Sequence, residues 1–276
     1  MGFYLIFCKF IEEKLRTMIM KTHTKFLSVI FFAAAFAVVS CKKDPVEEPP
    51  VPEFGSIAIE FENMVGDSVL ELNSDDNYAI NGDTFTVTMF KYYISNIKLA
   101  SANGTFTEPE SYHLIDQSVP GSFTFTIDNI PVGDYTGISF MIGVDSTRNV
   151  SGVQTGALDP ANGMFWSWSS GYIMAKFEGT SPQSGGSSHN LIYHTGGFSG
   201  VNSVLRTVGP SFNGAIANVT KTETPVIHIA ADLAEWFVAP ANIDFATTYT
   251  IHMPGTAAKM IADNYADMFS VEHIHN

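Results

Sequence analysis

The sequence predicts an all-β protein: a single-domain, β-sandwich-like fold with long loops and a short helix near the C-terminus. The chain has 276 residues, of which 45% are hydrophobic and 15% charged, so there is enough apolar material for a large core. Aromatic residues make up 13%, and together with many Gly, Thr and Ser they favour strands and tight turns. Short apolar runs separated by turn residues, without a regular alternation of strand and helix, are typical of a sandwich.

The N-terminus has the pattern of a targeting segment, and we assign residues 1–40 to a signal peptide. Two lysines precede the apolar run 26–39 (FLSVIFFAAAFAVV), which is short for a membrane-spanning helix. Small residues then lead to Cys41, as in the lipobox of bacterial lipoproteins, which predicts lipidation of Cys41. A start at Met18 or Met20 would give a signal of ordinary length, so the preceding residues are consistent with an over-extended gene start.

Residues 41–53 follow as the lipidated cysteine and a Pro- and Glu-rich tether, and the folded domain is predicted to span residues 54–276. The chain is therefore expected to be an outer membrane lipoprotein, facing the periplasm or the cell surface. With Cys8 removed and Cys41 acylated, no thiol remains for a disulfide or a metal. The formal net charge of −14 argues against binding to nucleic acid.

The strands are read in order from alternating or apolar runs. Ile57, Ile59 and Phe61 alternate with smaller or charged residues and predict the first strand, and a second is predicted at 68–72. Further strand-like runs lie at 85–99, 112–116, 122–127, 137–144, 191–198 and 224–231, with Gly, Pro and Asn between them. An apolar stripe and a preceding proline predict a helix at 256–269.

The segment 163–172 (GMFWSWSSGY) concentrates aromatic residues in one place. In an extended strand, Met164, Trp166 and Trp168 share one face, and Phe165 lies on the other. Large aromatic side chains at such positions commonly fill a core. The same pair of indoles is also suited to a functional site, and the residues alone leave both interpretations open.

Seven of the eight histidines lie after the signal. His273 and His275 are two residues apart, which on a strand places both imidazoles on one face about 7 Å apart. This spacing suits chelation of one ion, and it is equally consistent with a frayed polar terminus.

Three further histidines lie in or beside predicted strands. His194 and His228 occupy apolar strands, where a buried imidazole needs a partner. His252 precedes Met253, and an imidazole beside a thioether suits cuprous ion, although this is also a strand end before a proline. Without thiolates, an imidazole-rich site in an exported protein points to copper first and zinc second.

Sequence motifs of the common enzyme classes are missing. The chain has no G-x-S-x-G elbow, no H-E-x-x-H pair, no P-loop and no dinucleotide fingerprint. We therefore predict a protein that is not an enzyme.

Several segments together resemble the copper-binding proteins of the MbnP type, a family associated with methanobactin operons and widespread as lipoproteins in Bacteroidetes-like bacteria. The resemblance covers most of the chain from about residue 54. The matching segments are 91–99 (KYYISNIKL), 131–135 (PVGDY), 143–149 (GVDSTRN), 158–160 (LDP), 163–172 (GMFWSWSSGY), 176–179 (KFEG), 193–198 (YHTGGF) and 261–276 (IADNYADMFSVEHIHN).

The resemblance implies a β-rich exported domain that binds copper. In related proteins a tryptophan is oxidised to kynurenine and becomes an additional ligand, and the usual modifying partner is a di-haem enzyme of the cytochrome c peroxidase class. By motif, Trp166 or Trp168 corresponds to the modified residue and His194 to a ligand. His273 and His275 match a subgroup pattern, and the cysteines that some relatives carry downstream are missing here.

Two functions follow as expectations. The first is a lipid-anchored protein for copper acquisition or handling, with Cu(I) or Cu(II) bound by His194 and some of His228, His252, His273 and His275. The second is a metal-free surface module that stacks a glycan or protein on exposed aromatic side chains, namely Trp166, Trp168 and Tyr172. Burial of the aromatics and convergence of the histidines discriminate between them.

Overall fold

A computed structural model describes residues 51–74, 77–152, 154–166 and 171–276. The predicted signal peptide, the lipobox with Cys41, most of the tether and Trp168 lie outside the described residues. From Val51 onward, all described residues belong to one unit, Pro50–Asn276. No helix in the described ranges is both long enough and apolar enough to cross a membrane.

Strands dominate the described residues. They are β1 (Phe54–Val65), β2 (Ser68–Val69), β3 (Tyr78–Ile80), β4 (Asp83–Ser101), β5 (Gly104–Thr107), β6 (Tyr112–Asp116), β7 (Thr124–Pro131), β8 (Gly133–Ile142), β9 (Phe165–Trp166), β10 (Gly171–Thr180), β11 (Asn190–Gly196), β12 (Arg206–Val208), β13 (Ala217–Val219), β14 (Val226–Asp232), β15 (Thr250–Ile251) and β16 (Phe269–His275). The α-helices are α1 (Ser146–Asn149) and α2 (Thr256–Tyr265). Short 3-10 helices lie at Pro120–Ser122, Gly156–Leu158, Pro160–Asn162, Ser187–His189, Gly200–Asn202 and Leu233–Phe237.

The strands form two sheets. In the first, β14 lies between β16 and β1, and both β2 and β7 pair with β1; the β1–β14 pairing is parallel and the others are antiparallel. The second sheet runs in the order β12, β8, β4, β10, β11, β15, with the remaining strands attached to β4, β8 and β10. The all-β prediction is confirmed.

Aromatic side chains fill the space between the sheets. Phe61 of the first sheet contacts Tyr92 and Phe140 of the second, with ring centroids 6.2 and 6.0 Å apart. Phe269, also of the first sheet, packs edge-on against Phe140 at 5.0 Å. All four rings are buried. This contact gives the fold its sandwich character and fixes which face of each sheet points outward.

Strand β14 alternates between the core and the outer surface. Ile227 and Ile229 are almost fully buried, and His228 between them is only half-buried. Successive side chains of a strand point to opposite faces, so His228 lies on the outer face of the first sheet.

Strand β11 follows the same rule in the second sheet. Tyr193 is buried and stacks on Phe177 at 5.6 Å, and Thr195 is buried and donates a hydrogen bond to the carbonyl oxygen of Ala175. His194, between these two inward residues, therefore faces outward. It pairs with Lys176 across the β10–β11 ladder.

Most elements differ from their predicted bounds by a few residues, and two of them end early. The predicted strand at 68–72 is limited to Ser68–Val69. The C-terminal helix ends at Tyr265 instead of continuing to residue 269, because Phe269 begins β16 and pairs with β14. Pairing with an existing sheet edge and burial of Phe269 outweigh the helical pattern of these last residues.

The aromatic segment at 163–172 contributes two strands, β9 and the start of β10. Met164 and Trp166 are buried and Phe165 is half-buried, as alternation predicts. The indole of Trp166 lies flat against the backbone of Gly196: a Cβ atom built on that glycine would be 2.2 Å from the nearest ring carbon. Only glycine leaves room for the indole at this position.

Replacing Gly196 with alanine should displace the Trp166 ring. The added methyl group overlaps the indole, and overpacking of this kind typically costs about 1–3 kcal/mol of unfolding free energy. Near-ultraviolet circular dichroism and urea unfolding measure both effects. Gly121→Ala is the matched control, since nothing lies within 4 Å of its Cβ position; equal behaviour of the two variants would contradict the packing.

Candidate functional site

The five histidines predicted as ligands occupy the outer faces of two different sheets. His228, His273 and His275 belong to the first sheet, on β14 and β16. His194 lies on β11 of the second sheet, and His252 directly follows β15. The structure therefore brings the five residues together as a group of three and a group of two.

His228, His273 and His275 converge closely. Their nearest ligand nitrogens all lie within 4.8 Å of one another. The rings of His228 and His273 stack with centroids 4.1 Å apart, and the ring of His275 lies edge-on to both, at 5.0 and 4.8 Å. Among the described residues, this is the cluster of three potential ligands that could hold a metal ion.

The surroundings of His228 favour its neutral form. Burial lowers the pKa of His228, and a charge on the adjacent His273 would lower it further, which outweighs the opposing effect of Glu60. The Glu60 carboxylate lies 3.6 Å from Nδ1 of His228. A neutral imidazole retains the lone pair that a metal requires.

His194 forms a close pair with Glu178. Nε2 of His194 lies 2.8 Å from Oε1 of Glu178, two residues beyond Lys176 on the neighbouring strand. Burial lowers the pKa of His194 despite the Glu178 hydrogen bond, and the charge of Lys176 acts in the same direction as burial. Burial alone would raise the pKa of Glu178, but His194 and Lys176 hold it below its usual value.

This pairing selects one tautomer of His194. When neutral, the ring donates its Nε2–H to the carboxylate, so the lone pair resides on Nδ1. A carboxylate that fixes the second nitrogen in this way is the usual outer partner of a metal-binding histidine. The contact of His194 with Glu178 is therefore of the kind that supports a metal ligand.

His252 is the neighbour of His194 on the adjoining strand. Strands β11 and β15 run parallel, with Tyr193 opposite Ile251; His194 is the next residue of β11, and His252 directly follows the end of β15. The pairing therefore brings the start of the segment after β15 close to His194. A charge on His252 also lowers the pKa of His194, which requires proximity.

Trp166 lies on the same outer face as His194, because its indole covers Gly196, two residues further along β11. One edge of Trp166 lines a cavity of about 240 Å³, which is also bounded by Tyr172, Gly197, Phe198 and Pro254. Pro254 is two residues after His252. The cavity thus adjoins both the indole and the segment that carries His252.

Two lysines fix the segment that leads to Trp166. The amino groups of Lys91 and Lys176 lie 3.4 Å from the carbonyl oxygens of Asn162 and Gly163, respectively. Lys91 also forms an ion pair of 2.7 Å with Asp116, and both partners are largely buried. These contacts hold the segment against the outer face of the second sheet.

The aromatic platform expected for a ligand-binding module is not exposed at the described positions. Trp166 is 7% exposed and Tyr172 is 1% exposed. Tyr172 directs its hydroxyl to the carbonyl oxygen of Leu158, inside the protein. Trp168 lies outside the described residues.

Sequence reasoning did not identify Glu178 and Gly196 as contributors. Both lie in segments that carry the resemblance, KFEG and YHTGGF. The available signal was the β10–β11 hairpin: counting back from its Gly- and Ser-rich loop places Lys176 opposite His194, with Glu178 on the same face two residues away.

The family model named MbnP matches residues 54–254. Among solved structures, MbnP from Methylosinus trichosporium is similar, with a TM-score of 0.47 and 14% sequence identity over 70% of this chain and 80% of that chain. A search of curated proteins finds no match. Since the family model covers more than half of the sequence, the chain belongs to the MbnP family.

Proposed function

We propose that this chain is a lipid-anchored copper-binding protein that acquires or handles copper, and that copper binds at His194 and His252 beside Trp166. The observation that carries the proposal is the position of His194: its Nε2 lies 2.8 Å from Glu178, its strand carries the glycine that Trp166 covers, and the same strand pairs with the one that leads to His252. Membership of the MbnP family agrees with this assignment.

The donor set suits copper. Two imidazoles without a thiolate favour copper over hard cations, which prefer oxygen ligands. Glu178 orients His194 and strengthens its basicity, and the half-buried position limits competition from water. Met253, exposed beside His252, adds a thioether that is compatible with the cuprous state.

Trp166 is our candidate for the oxidised residue, since it is the described indole on the His194 face. Modification to kynurenine would place a carbonyl and an aromatic amine next to the two histidines. The oxidant would come from a di-haem enzyme of the cytochrome c peroxidase class, as the resemblance implies. Trp166 also lines the cavity of about 240 Å³ on this side of the molecule.

The metal-free glycan- or protein-binding module has less support. Its described aromatic side chains, Trp166 and Tyr172, are buried instead of forming an open platform.

Replacing His194 and His252 together with alanine should remove one equivalent of chelator-resistant copper from the natively expressed protein. Glu178→Gln should weaken the binding of this copper ion about 10- to 100-fold, because Glu178 orients the ligand His194. Copper content after dialysis against a competing chelator measures both.

His113→Ala is the matched control for this experiment. His113 also pairs with a carboxylate, at 3.0 Å from Glu108, but it stacks on Phe125 and is not one of the proposed ligands. Copper content should be unchanged in this variant. An unchanged copper content in the His194 and His252 double variant would refute the proposed site.

The mass of the peptide between Arg148 and Lys176 reports on the tryptophan. Trypsin releases Trp166 and Trp168 on this one peptide, and fragmentation separates the two positions. We expect the mass of kynurenine at Trp166 in protein from the native host. Trp236, fully buried on another tryptic peptide, is the internal control. An unmodified Trp166 would rule out this step.

Cys41→Ala should release the protein from the membrane fraction, because the substitution removes the site of acylation. Fractionation and immunoblotting measure the distribution. Cys8→Ala, which alters the other cysteine of the chain, should leave it unchanged. Membrane association of Cys41→Ala equal to that of the parent would disprove the lipid anchor.

A further inference from the structure

We infer that His228, His273 and His275 form a second metal centre, separate from the site at His194, that binds a divalent transition-metal ion, Cu²⁺ in preference to Zn²⁺. The inference concerns residues outside the proposed copper site and does not depend on it. It rests on the convergence of three imidazoles on the outer face of the first sheet.

Strand pairing delivers the three side chains to one place. His228 on β14 lies directly opposite His273 on β16, and His275 is two residues further along the same strand. The register shifts immediately beyond the His228–His273 pair, where β16 carries Glu272 as an extra residue. Both Glu272 and His273 are exposed, as expected where a β-bulge turns consecutive side chains toward solvent.

The distances suit a metal after small rotations. Tetrahedral nitrogen ligands at 2.0–2.1 Å from an ion lie about 3.4 Å apart, whereas these nitrogens lie within 4.8 Å of each other. We expect rotation of the side chains to close this gap. His273 and His275 are exposed and free of tight packing, so their rings have room to turn.

The chemistry of the donors indicates the class of ion. Imidazole is a ligand of borderline ions such as copper and zinc, and the intrinsic order of stability places Cu²⁺ above Zn²⁺. The adjacent Glu60 carboxylate adds negative charge beside His228. Three protein ligands leave a further coordination position open, which is typical of ions that exchange or bind a small ligand.

Family membership does not assign this centre. The match to the MbnP family model ends at residue 254, before both His273 and His275. His273 and His275 belong to the last strand of the chain, and they join His228 only because β16 pairs with β14.

The test uses the full chain carrying Cys8→Ser and Cys41→Ser, so that no thiolate competes for the metal. This protein is titrated with Cu²⁺ and, separately, with Zn²⁺ in the presence of a competing chelator. The double variant H273Q/H275Q should lose one equivalent of tight Cu²⁺. H228Q should weaken the binding of that Cu²⁺ ion. The loss of affinity should exceed roughly 10–100-fold, which is the loss expected when only a hydrogen-bond partner of a ligand is removed. Electron paramagnetic resonance of the bound Cu²⁺ should show nitrogen coupling that disappears in H273Q/H275Q.

Two controls separate this centre from the other site. H113Q should bind as the parent does, and the H194A/H252A variant should retain the equivalent that depends on His273 and His275. Circular dichroism confirms folding of the glutamine variants, whose exposed positions tolerate polar side chains. Unchanged Cu²⁺ binding in H273Q/H275Q, unchanged affinity in H228Q, or tighter binding of Zn²⁺ than of Cu²⁺ would overturn the inference.

Discussion

The aromatic contact between the two sheets is the constraint on which the rest of the molecule depends. Phe61, Phe140 and Phe269 meet in the interior, and each buried ring determines the orientation of every other residue on its strand. Because Phe269 must face inward, β16 has to lie beside β14, and its last residues are carried to the outer surface. The positions of the histidines are consequences of this packing.

The same constraint separates the histidines into two groups. Ile227 and Ile229 turn His228 outward on the first sheet, whereas Tyr193 and Thr195 turn His194 outward on the second. An ion bound by one group is therefore held by a different sheet from an ion bound by the other. A single site that combined all five predicted histidines would require strands to expose their apolar faces. Each Å² of apolar surface exposed in this way would lower the free energy of unfolding by about 25 cal/mol.

Much of the fold could be predicted from local patterns, and most of the candidate sites could not. Alternation of apolar residues identified β1, and the apolar run near residue 226 identified β14. Each of these patterns is contained in a short stretch of sequence. The parallel pairing of β1 with β14 joins segments more than 150 residues apart, and no local pattern encodes it. The proximity of His194 and His252 depends on β15, a strand of two residues that carries almost no periodic signal.

The β-bulge near the end of β16 determines which way the side chain of His273 points. If the strand were regular, with Glu272 present and no bulge, the alternation that buries Phe269 and Val271 would turn Glu272 outward and His273 toward the core. An imidazole there would need a buried hydrogen-bond partner. The inserted residue instead shifts the register by one position, so His273 and His275 turn outward while Ile274 still packs against the core. The convergence with His228 thus depends on the bulge that accommodates Glu272 beside His273.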